Sequence, residues 1–274
     1  MSVKSAVVDS AGDLIVQWCH DQQRSVYHSG WLRHIAENQH RPSSWLPMAQ
    51  AWTTSSMSEV PRVDGAWALE SDEAILALRN NLMVSGVCVL ENAPTHEGYL
   101  LDLAERIGPV RDSNFGRLWD VRADIDLAGD AKTNTTANTG LRLGPHSDLP
   151  TRETPPGFQF LHCLVNDADG GASTLTDGAA LVQALEREYP EAFELLCTRH
   201  WIFFNRGPGI DHRWSAPIIA YLPGSDIPTI RAFYPVRAFP SMAVEDVAGC
   251  YEALRLFHRM ADEPEFELKF RLTA

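Results

Sequence analysis

Eight residues, Phe158 to Val165 (FQFLHCLV), form a continuous run of apolar β-formers between the turn-rich stretches TRETPPG and NDADGG. Such a run marks a strand buried on both faces, and a strand of that kind needs a second layer to cover it. GVCVLENAP (86–94) reads as another strand ending in a turn, and residues 217–239 as short strands punctuated by Pro and Gly. The helical signals lie around these. Ser71 is an N-cap with acids at Asp72 and Glu73, opening a helix through Ala74-Ile75, Leu78 and Leu82. EGYLLDLAERIG is a second amphipathic helix closed by Gly108-Pro109, and AALVQALEREYP a third, entered from Asp177-Gly178. Val244, Val247, Tyr251, Leu254 and Phe257 recur at helical spacing and predict a last, long helix. Many short strands with a few peripheral helices predict a mainly β chain, a jelly-roll or barrel rather than a doubly wound sheet.

Upstream the texture differs. Five of the eight tryptophans fall at positions 18, 31, 45, 52 and 67. LIVQW and SVYHSGW read as short strands of a small sheet joined by HDQQ, and Trp18, Trp31 and Trp45 as its core. The polar stretch TTSSMSEVPR is a linker, which puts a domain boundary near residue 62: a small N-terminal β-rich domain over 1–62 and a main domain over 63–274.

Bulk properties narrow the function classes. The net charge of −13 argues against a nucleic-acid partner, which needs a basic face to neutralise phosphates. An acidic chain is compatible with a cationic substrate, although simple solubility explains the sign as well. Five scattered cysteines, with no C-x-x-C pair, make neither a disulfide framework nor a zinc ribbon and point to a reducing cytoplasm. No run approaches the roughly eighteen apolar residues of a membrane span, and no apolar signal region opens the sequence.

Residues 144–150 read GPHSDLP. On a strand, His146 and Asp148 would share a face, offering an imidazole nitrogen and a carboxylate oxygen to one ion. A His-x-Asp alone is common. Here it is followed by the Pro-rich turn, the apolar run and the returning ASTLTDG, a hairpin that would bring Ser173 near the metal, its hydroxyl able to donate to an anionic co-substrate.

The run NTTANTGLRLGPHSDLPTRETPPGFQFLHCLVNDADGGASTLTDG resembles the gamma-butyrobetaine hydroxylase branch of the TauD-type, Fe(II)- and 2-oxoglutarate-dependent dioxygenases. The resemblance extends to YHSGWLRH upstream, similar to the family's WLRDNC segment, and to YEALRLFHRMADEPEFELKFRLTA downstream. It implies a double-stranded β-helix (jelly-roll) and a 2-His-1-carboxylate triad with open positions for 2-oxoglutarate and oxygen. His146 and Asp148 match the first two metal ligands. Ser173 matches the position contacting the 2-oxoglutarate carboxylate. Phe115 and Trp119, in NFGRLWDV, match two walls of an aromatic cage for a trimethylammonium group, though plain core packing also accounts for them. The carboxylate at Asp148 argues against the halogenase variant of the fold, which vacates that position.

Three departures bear on function. A cage tyrosine of carnitine-forming members is replaced by Asn138, which opens the substrate to other polar amines, phosphonates or amino-acid-like molecules. The zinc cysteines of the family's N-terminal domain are absent from WLRHIAENQH, where only His34 and His40 remain. Third, in the family FRLTA runs on into GD-x-x-x-FDN-x-R-x-x-H, the source of the second histidine ligand and, shortly after, of the arginine that binds 2-oxoglutarate. The sequence ends at Ala274, so neither is among its residues. The expectation is that residues 1–274 alone bind iron weakly, turn over essentially nothing, and pair as a homodimer or aggregate at an open sheet edge.

Among the other histidines, His212 in GIDHRW, with Arg213 and Arg231 nearby, is the tempting substitute ligand but reads as a surface histidine. His258 reads as a helix–core boundary residue, and His162 as a hydrogen-bonded core residue. Two readings therefore stand: a dioxygenase hydroxylating a small, polar, cationic (quaternary amine-like) metabolite, or a catalytically incomplete jelly-roll fragment or non-catalytic binding protein.

Overall fold

The structure, a computed structural model, describes residues 2–19, 23–37, 48–113, 116–121, 143–166, 170–207, 209–222, 225–232 and 238–273. The chain divides into two compact units, Met1–Met48 and Ala49–Ala274. The division falls earlier than the linker near residue 62, because residues of that polar stretch belong to the second unit's packing. Trp52 and Val60 are buried with Leu268, and the Trp52 Nε1 donates to the Ser85 carbonyl at 2.9 Å.

The first unit holds an antiparallel sheet in the order β1 (Val3–Val8), β2 (Leu14–Trp18), β3 (Arg24–Tyr27), followed by α1 (Ser29–Glu37). Asp9 shapes the β1–β2 turn by accepting from the amides of Ala11 and Asp13 at 2.9 and 3.0 Å, and Gly12 takes the positive φ of 87° there. Ser25 Oγ accepts from the Trp18 Nε1 at 2.9 Å. The stretch SGWLRH is helical, not strand. Trp31 stacks on Tyr27 and stays 52% exposed rather than forming a core; Trp45 lies outside the described residues.

In the second unit, β4 (Arg62–Asp64) pairs in parallel with β5 (Val89–Glu91), flanking α2 (Asp72–Ser85), and α3 (Tyr99–Ile107) follows. Ser71 caps α2 by accepting from the Ala74 amide at 3.1 Å, and Gly86, at φ 73°, closes it on the Leu82 carbonyl. Ile75, Leu78, Tyr99 and Leu103 form one buried cluster between these helices. The helix entered from Asp177-Gly178, α4 (Gly178–Glu188), stops at Tyr189, because Pro190 cannot continue it and instead opens α5 (Pro190–Thr198).

The largest core lies where α4, α5 and α6 (Val244–Ala261) pack against β7 (His200–Gly207), with Leu185, Leu196, Phe203, Cys250 and Phe257 at its centre. The long helix is where its apolar repeat predicts, but its buried stripe is Cys250, Ala253, Phe257, Met260 and Ala261, while Val244 is 86% exposed. Strand β7 is central in the antiparallel order β11 (Ala238–Ser241), β7, β8 (Ile210–Ala216). Two further pairs are β9 (Ile219–Tyr221) with β10 (Pro228–Ile230), and β6 (Ser173–Leu175) with β12 (Leu268–Phe270).

By number of elements the chain is mostly β with helices. Its sheets are short and no closed barrel forms among the described residues. No helix of the described residues is long and apolar enough to cross a membrane.

The run Phe158–Val165 departs from expectation. None of its residues lies in a strand, and Leu161 and Val165 are 64% and 71% exposed. Apolar β-formers supply side chains for burial, but a strand also needs a neighbour to satisfy its backbone, and no described strand lies alongside. What anchors the run is side-chain contact: Phe160 against the α2–α3 cluster, and the His162 ring 5.7 Å from that of Tyr99.

Asp177 links local and global structure. One carboxylate oxygen accepts from the amides of Ala179 and Ala180 at 2.7 and 3.1 Å, capping α4. The other accepts from the Trp52 amide at 3.0 Å. Asp177→Ala should lower stability by roughly 1–2 kcal/mol, the range for loss of a helix cap. Urea denaturation would show a lower midpoint, and an unchanged midpoint would contradict the assignment.

Candidate functional site

His146 and Asp148 do not sit on a strand; residues 143–150 form an irregular segment. They meet because the residue between them is fixed. The Ser147 amide donates to the Ala232 carbonyl at 2.7 Å, the Ser147 hydroxyl donates to the Ile230 carbonyl at 2.8 Å, and Ser147 Oγ accepts from the Ala232 amide at 3.1 Å. Three hydrogen bonds thus tie position 147 to the end of β10, more than eighty residues along the chain. Beyond Asp148, Leu149 adopts φ 51°. An L-residue takes that conformation at a cost of roughly 1–2 kcal/mol, and it turns the chain sharply into Pro150 and Thr151.

The result is an imidazole Nε2 standing 3.3 Å from Asp148 Oδ1, with the side chains 22% and 39% exposed. Both groups are held from behind. The His146 Nδ1 lies 2.8 Å from the Gly144 carbonyl, an acceptor only, so Nδ1 carries the donated proton. In the neutral ring this leaves the Nε2 lone pair facing the carboxylate side. Gln159 Nε2 donates to Asp148 Oδ2 at 2.7 Å, which leaves Oδ1 as the outward oxygen.

Two ligands at right angles on one ion, each about 2.1 Å from it, stand about 3 Å apart. The Nε2–Oδ1 separation matches that spacing. A neutral imidazole, a carboxylate and one outer hydrogen bond to each are the donor set a divalent transition metal requires. These residues fit the ion that the sequence resemblance implies.

Each group of the pair shifts the titration of the other. Burial pulls the His146 pKa down, but the hydrogen bond to Asp148, the Gly144 carbonyl and the Asp148 charge outweigh it, and the pKa lies above its ordinary value. Asp148 moves the other way: the His146 hydrogen bond, then the imidazolium charge and Gln159, hold it below the usual carboxylate range against the opposing effect of burial.

The signs fix the pH window. His146's contribution to stability is full below 6.5 and is lost as pH rises through its raised folded value. Asp148's is present above 3.8 and is lost as pH falls through its lowered folded value. In metal-free protein, NMR titration of the His146 ring should give a pKa above that of an ordinary histidine, and Asp148→Asn should bring it down. A ring that ignores that substitution would contradict the pairing. Metal must displace the Nε2 proton, so affinity should fall on acidification through the same range.

The other candidates are dispersed. Ser173 is half-buried on β6 opposite Phe270, and no hydrogen bond among the described residues joins it to His146 or Asp148. Phe115 and Asn138 lie outside the described residues, as does His40. Trp119 is 37% exposed. Arg111 donates to the Thr154 carbonyl, in the turn after Asp148, at 2.7 Å.

His212 sits on β8 opposite Asn205 with its Nδ1 buried rather than at the surface, and Arg213 pairs with Asp211 at 2.8 Å. His258 lies on α6, where burial lowers its pKa. The His162 Nε2 is buried without a hydrogen-bond partner among the described residues, unlike the satisfied core histidine expected. Among the described residues, no third His, Cys, Asp or Glu joins His146 and Asp148 in a metal-holding group.

Sequence reading missed Ser147 and Gln159. Ser147 had no signal beyond its place between two candidate ligands. Gln159, a lone polar residue near the start of an apolar run, was a signal that could have been used.

Comparison with known proteins places the chain in a family. The family model described as taurine catabolism dioxygenase TauD, TfdA family matches residues 47–274, a span that includes both His146 and Asp148. The chain is 37% identical over 277 aligned positions to the gamma-butyrobetaine dioxygenase of Pseudomonas sp. (strain AK-1), covering all of this chain and 70% of that protein. It is 36% identical over 139 residues to the mitochondrial trimethyllysine dioxygenase of Mus musculus, covering 51% of this chain and 32% of that enzyme. With the gamma-butyrobetaine dioxygenase of Homo sapiens it shares 28% identity over 192 residues, covering 68% of this chain and 48% of that protein. The chain thus spans 70% of the bacterial relative's length, and 32% and 48% of these two mammalian ones. A family model matching most of the chain, and a bacterial relative aligned along all of it, lead to one conclusion: the chain belongs to the taurine catabolism dioxygenase TauD, TfdA family.

Proposed function

We propose that this protein is an Fe(II)- and 2-oxoglutarate-dependent dioxygenase that hydroxylates a small amine carrying a quaternary ammonium or similar cationic group. The observation that carries the reading is the His146 Nε2–Asp148 Oδ1 pair at 3.3 Å, backed by Gly144 and Gln159, in a chain of this family. Iron, when bound, supplies the oxygen activation that couples decarboxylation of 2-oxoglutarate to hydroxylation of the amine.

The chain's own residues do the rest. His146 offers a neutral nitrogen once Nε2 gives up its proton, while its Nδ1 proton stays on the Gly144 carbonyl. Asp148 offers one oxygen and keeps the other on Gln159, which orients the carboxylate. Ser147 fixes both ligands by anchoring the residue between them. Ser173 is assigned to the 2-oxoglutarate carboxylate, and Phe115, Trp119 and Asn138 to the cationic end of the substrate. An aromatic face attracts a quaternary ammonium through its quadrupole, and an amide in place of a third face adds hydrogen-bonding capacity. The short sheets of the second unit are read as parts of a jelly-roll, and the first unit as the family's small N-terminal domain.

The test is a panel assay of succinate formation by the full-length protein with Fe(II) and 2-oxoglutarate. Candidate substrates are gamma-butyrobetaine, trimethyllysine, aminophosphonates and amino acids. An amine with an additional polar group should be turned over in preference to gamma-butyrobetaine. Fast, selective turnover of gamma-butyrobetaine would contradict the role given to Asn138, and no succinate with any amine would contradict the function.

A further inference from the structure

Gln159, which backs Asp148, belongs to a run that no described strand holds. Burial alternates along it: Gln159 and Leu161 are exposed, while Phe160 and His162 are half-buried. Successive side chains of an extended segment point to opposite sides, so the inward pair decides which way Gln159 faces. A slip of one residue would turn Gln159 inward and away from Asp148.

The inward pair has a defined seat. Phe160 packs against the cluster of Ile75, Leu78, Tyr99 and Leu103 between α2 and α3. The His162 ring lies 5.7 Å from that of Tyr99, tilted by 49°. Tyr99 is 2% exposed, and its hydroxyl donates to the Gly65 carbonyl at 2.9 Å, which ties the ring to the chain ahead of α2. The His162 Nε2 is buried without a hydrogen-bond partner among the described residues, so what position 162 brings to this contact is its ring face. Past the run, the Asn166 side-chain amide donates to the Leu272 carbonyl at 2.6 Å.

The near end of the run meets the metal pair. Gln159 Nε2 reaches Asp148 Oδ2 at 2.7 Å, with Oδ1 standing 3.3 Å from His146 Nε2. The group that orients a candidate ligand is thus the immediate neighbour of a side chain seated on the α2–α3 cluster.

We propose that Phe160 and His162 are positioning residues: seated on Tyr99 and its cluster, they hold Gln159 against Asp148 and so set the ligand oxygen. The proposal rests on the metal reading of His146 and Asp148.

The test uses full-length protein labelled with ¹⁵N-glutamine. The Gln159 side-chain amide signal is identified by its absence from Gln159→Ala. In the parent it should stand apart from the signals of exposed glutamines, because one of its protons is held by a carboxylate. His162→Ala and Phe160→Ala should each return it toward the exposed position, whereas His162→Phe, which keeps a ring, should not. Leu161→Ala, at a position 64% exposed, should leave it in place. Anaerobic Fe(II) titration reads the consequence at the metal. Gln159→Ala and His162→Ala should each weaken binding roughly tenfold, within the range for loss of an outer partner, and the double variant no more than either alone. A parent signal at the exposed position overturns the proposal before any variant is made. A folded His162→Ala with the signal unmoved overturns it, as does full additivity in the double variant. A loss in His162→Phe as large as in His162→Ala overturns it too. Fe(II) affinity unchanged in His146→Ala would instead fail the metal reading, and the amide signal would still decide whether Phe160 and His162 position Gln159.

Discussion

His146→Ala and Asp148→Ala should each weaken Fe(II) binding in the full-length protein by more than about a hundredfold. That exceeds the 10–100-fold that loss of an outer hydrogen-bond partner costs. The reason is local. Nε2 and Oδ1 are the two atoms of the segment presented together, and no other described His, Cys, Asp or Glu stands close enough to substitute. Ser147→Ala and Gln159→Ala should fall in the smaller range, because each removes a support and leaves both ligands. Anaerobic titration of the four variants orders them. Equal effects across all four would mean that the segment's folding, not ligation, is being measured, and unchanged affinity in the first two would sink the metal assignment.

The second large effect concerns the core. Phe203 is fully buried at the centre of β7, opposite Ala238 on one side and Trp214 on the other, inside the cluster built by α4, α5 and α6. Phe203→Ala removes most of a ring from a place where neighbours cannot close the gap. It should cost roughly 3–5 kcal/mol, through lost burial and the cavity left behind. At about 2–4 °C per kcal/mol for a chain of this size, Tm falls by on the order of 10 °C. Leu164→Ser, at a half-exposed position, should stay within about 0.5 kcal/mol of the parent. Thermal unfolding followed by near-UV circular dichroism distinguishes the two, and equal shifts would contradict the core described.

Local signals were legible. The Ser71 cap, with acids at Asp72 and Glu73, and the helical repeat from Val244 both depend on residues within a few positions of one another. Failures came where the deciding partner is distant. Phe158–Val165 has the composition of a buried strand, but composition does not say which strand lies beside it. The stripe of α6 turned toward Cys250 and Met260 because the faces of α4, α5 and β7 chose it. The candidate site divides in the same way. His146 and Asp148 were recognisable from their surroundings, whereas the reason they meet is not near them in the chain. It lies at Ile230 and Ala232, whose backbone groups hold Ser147, and no residue type marks such a contact. Arg231 was visible only as a nearby basic residue, since its burial exists only once the turn after Asp148 packs on it.

The most direct test of the central claim is stoichiometry under ¹⁸O₂. Full-length protein, Fe(II), 2-oxoglutarate and the preferred amine should yield succinate and hydroxylated amine one for one. One labelled oxygen should enter each product, and both should vanish in His146→Ala. Hydroxylation without 2-oxoglutarate consumption, or full coupled turnover by His146→Ala, would contradict the account.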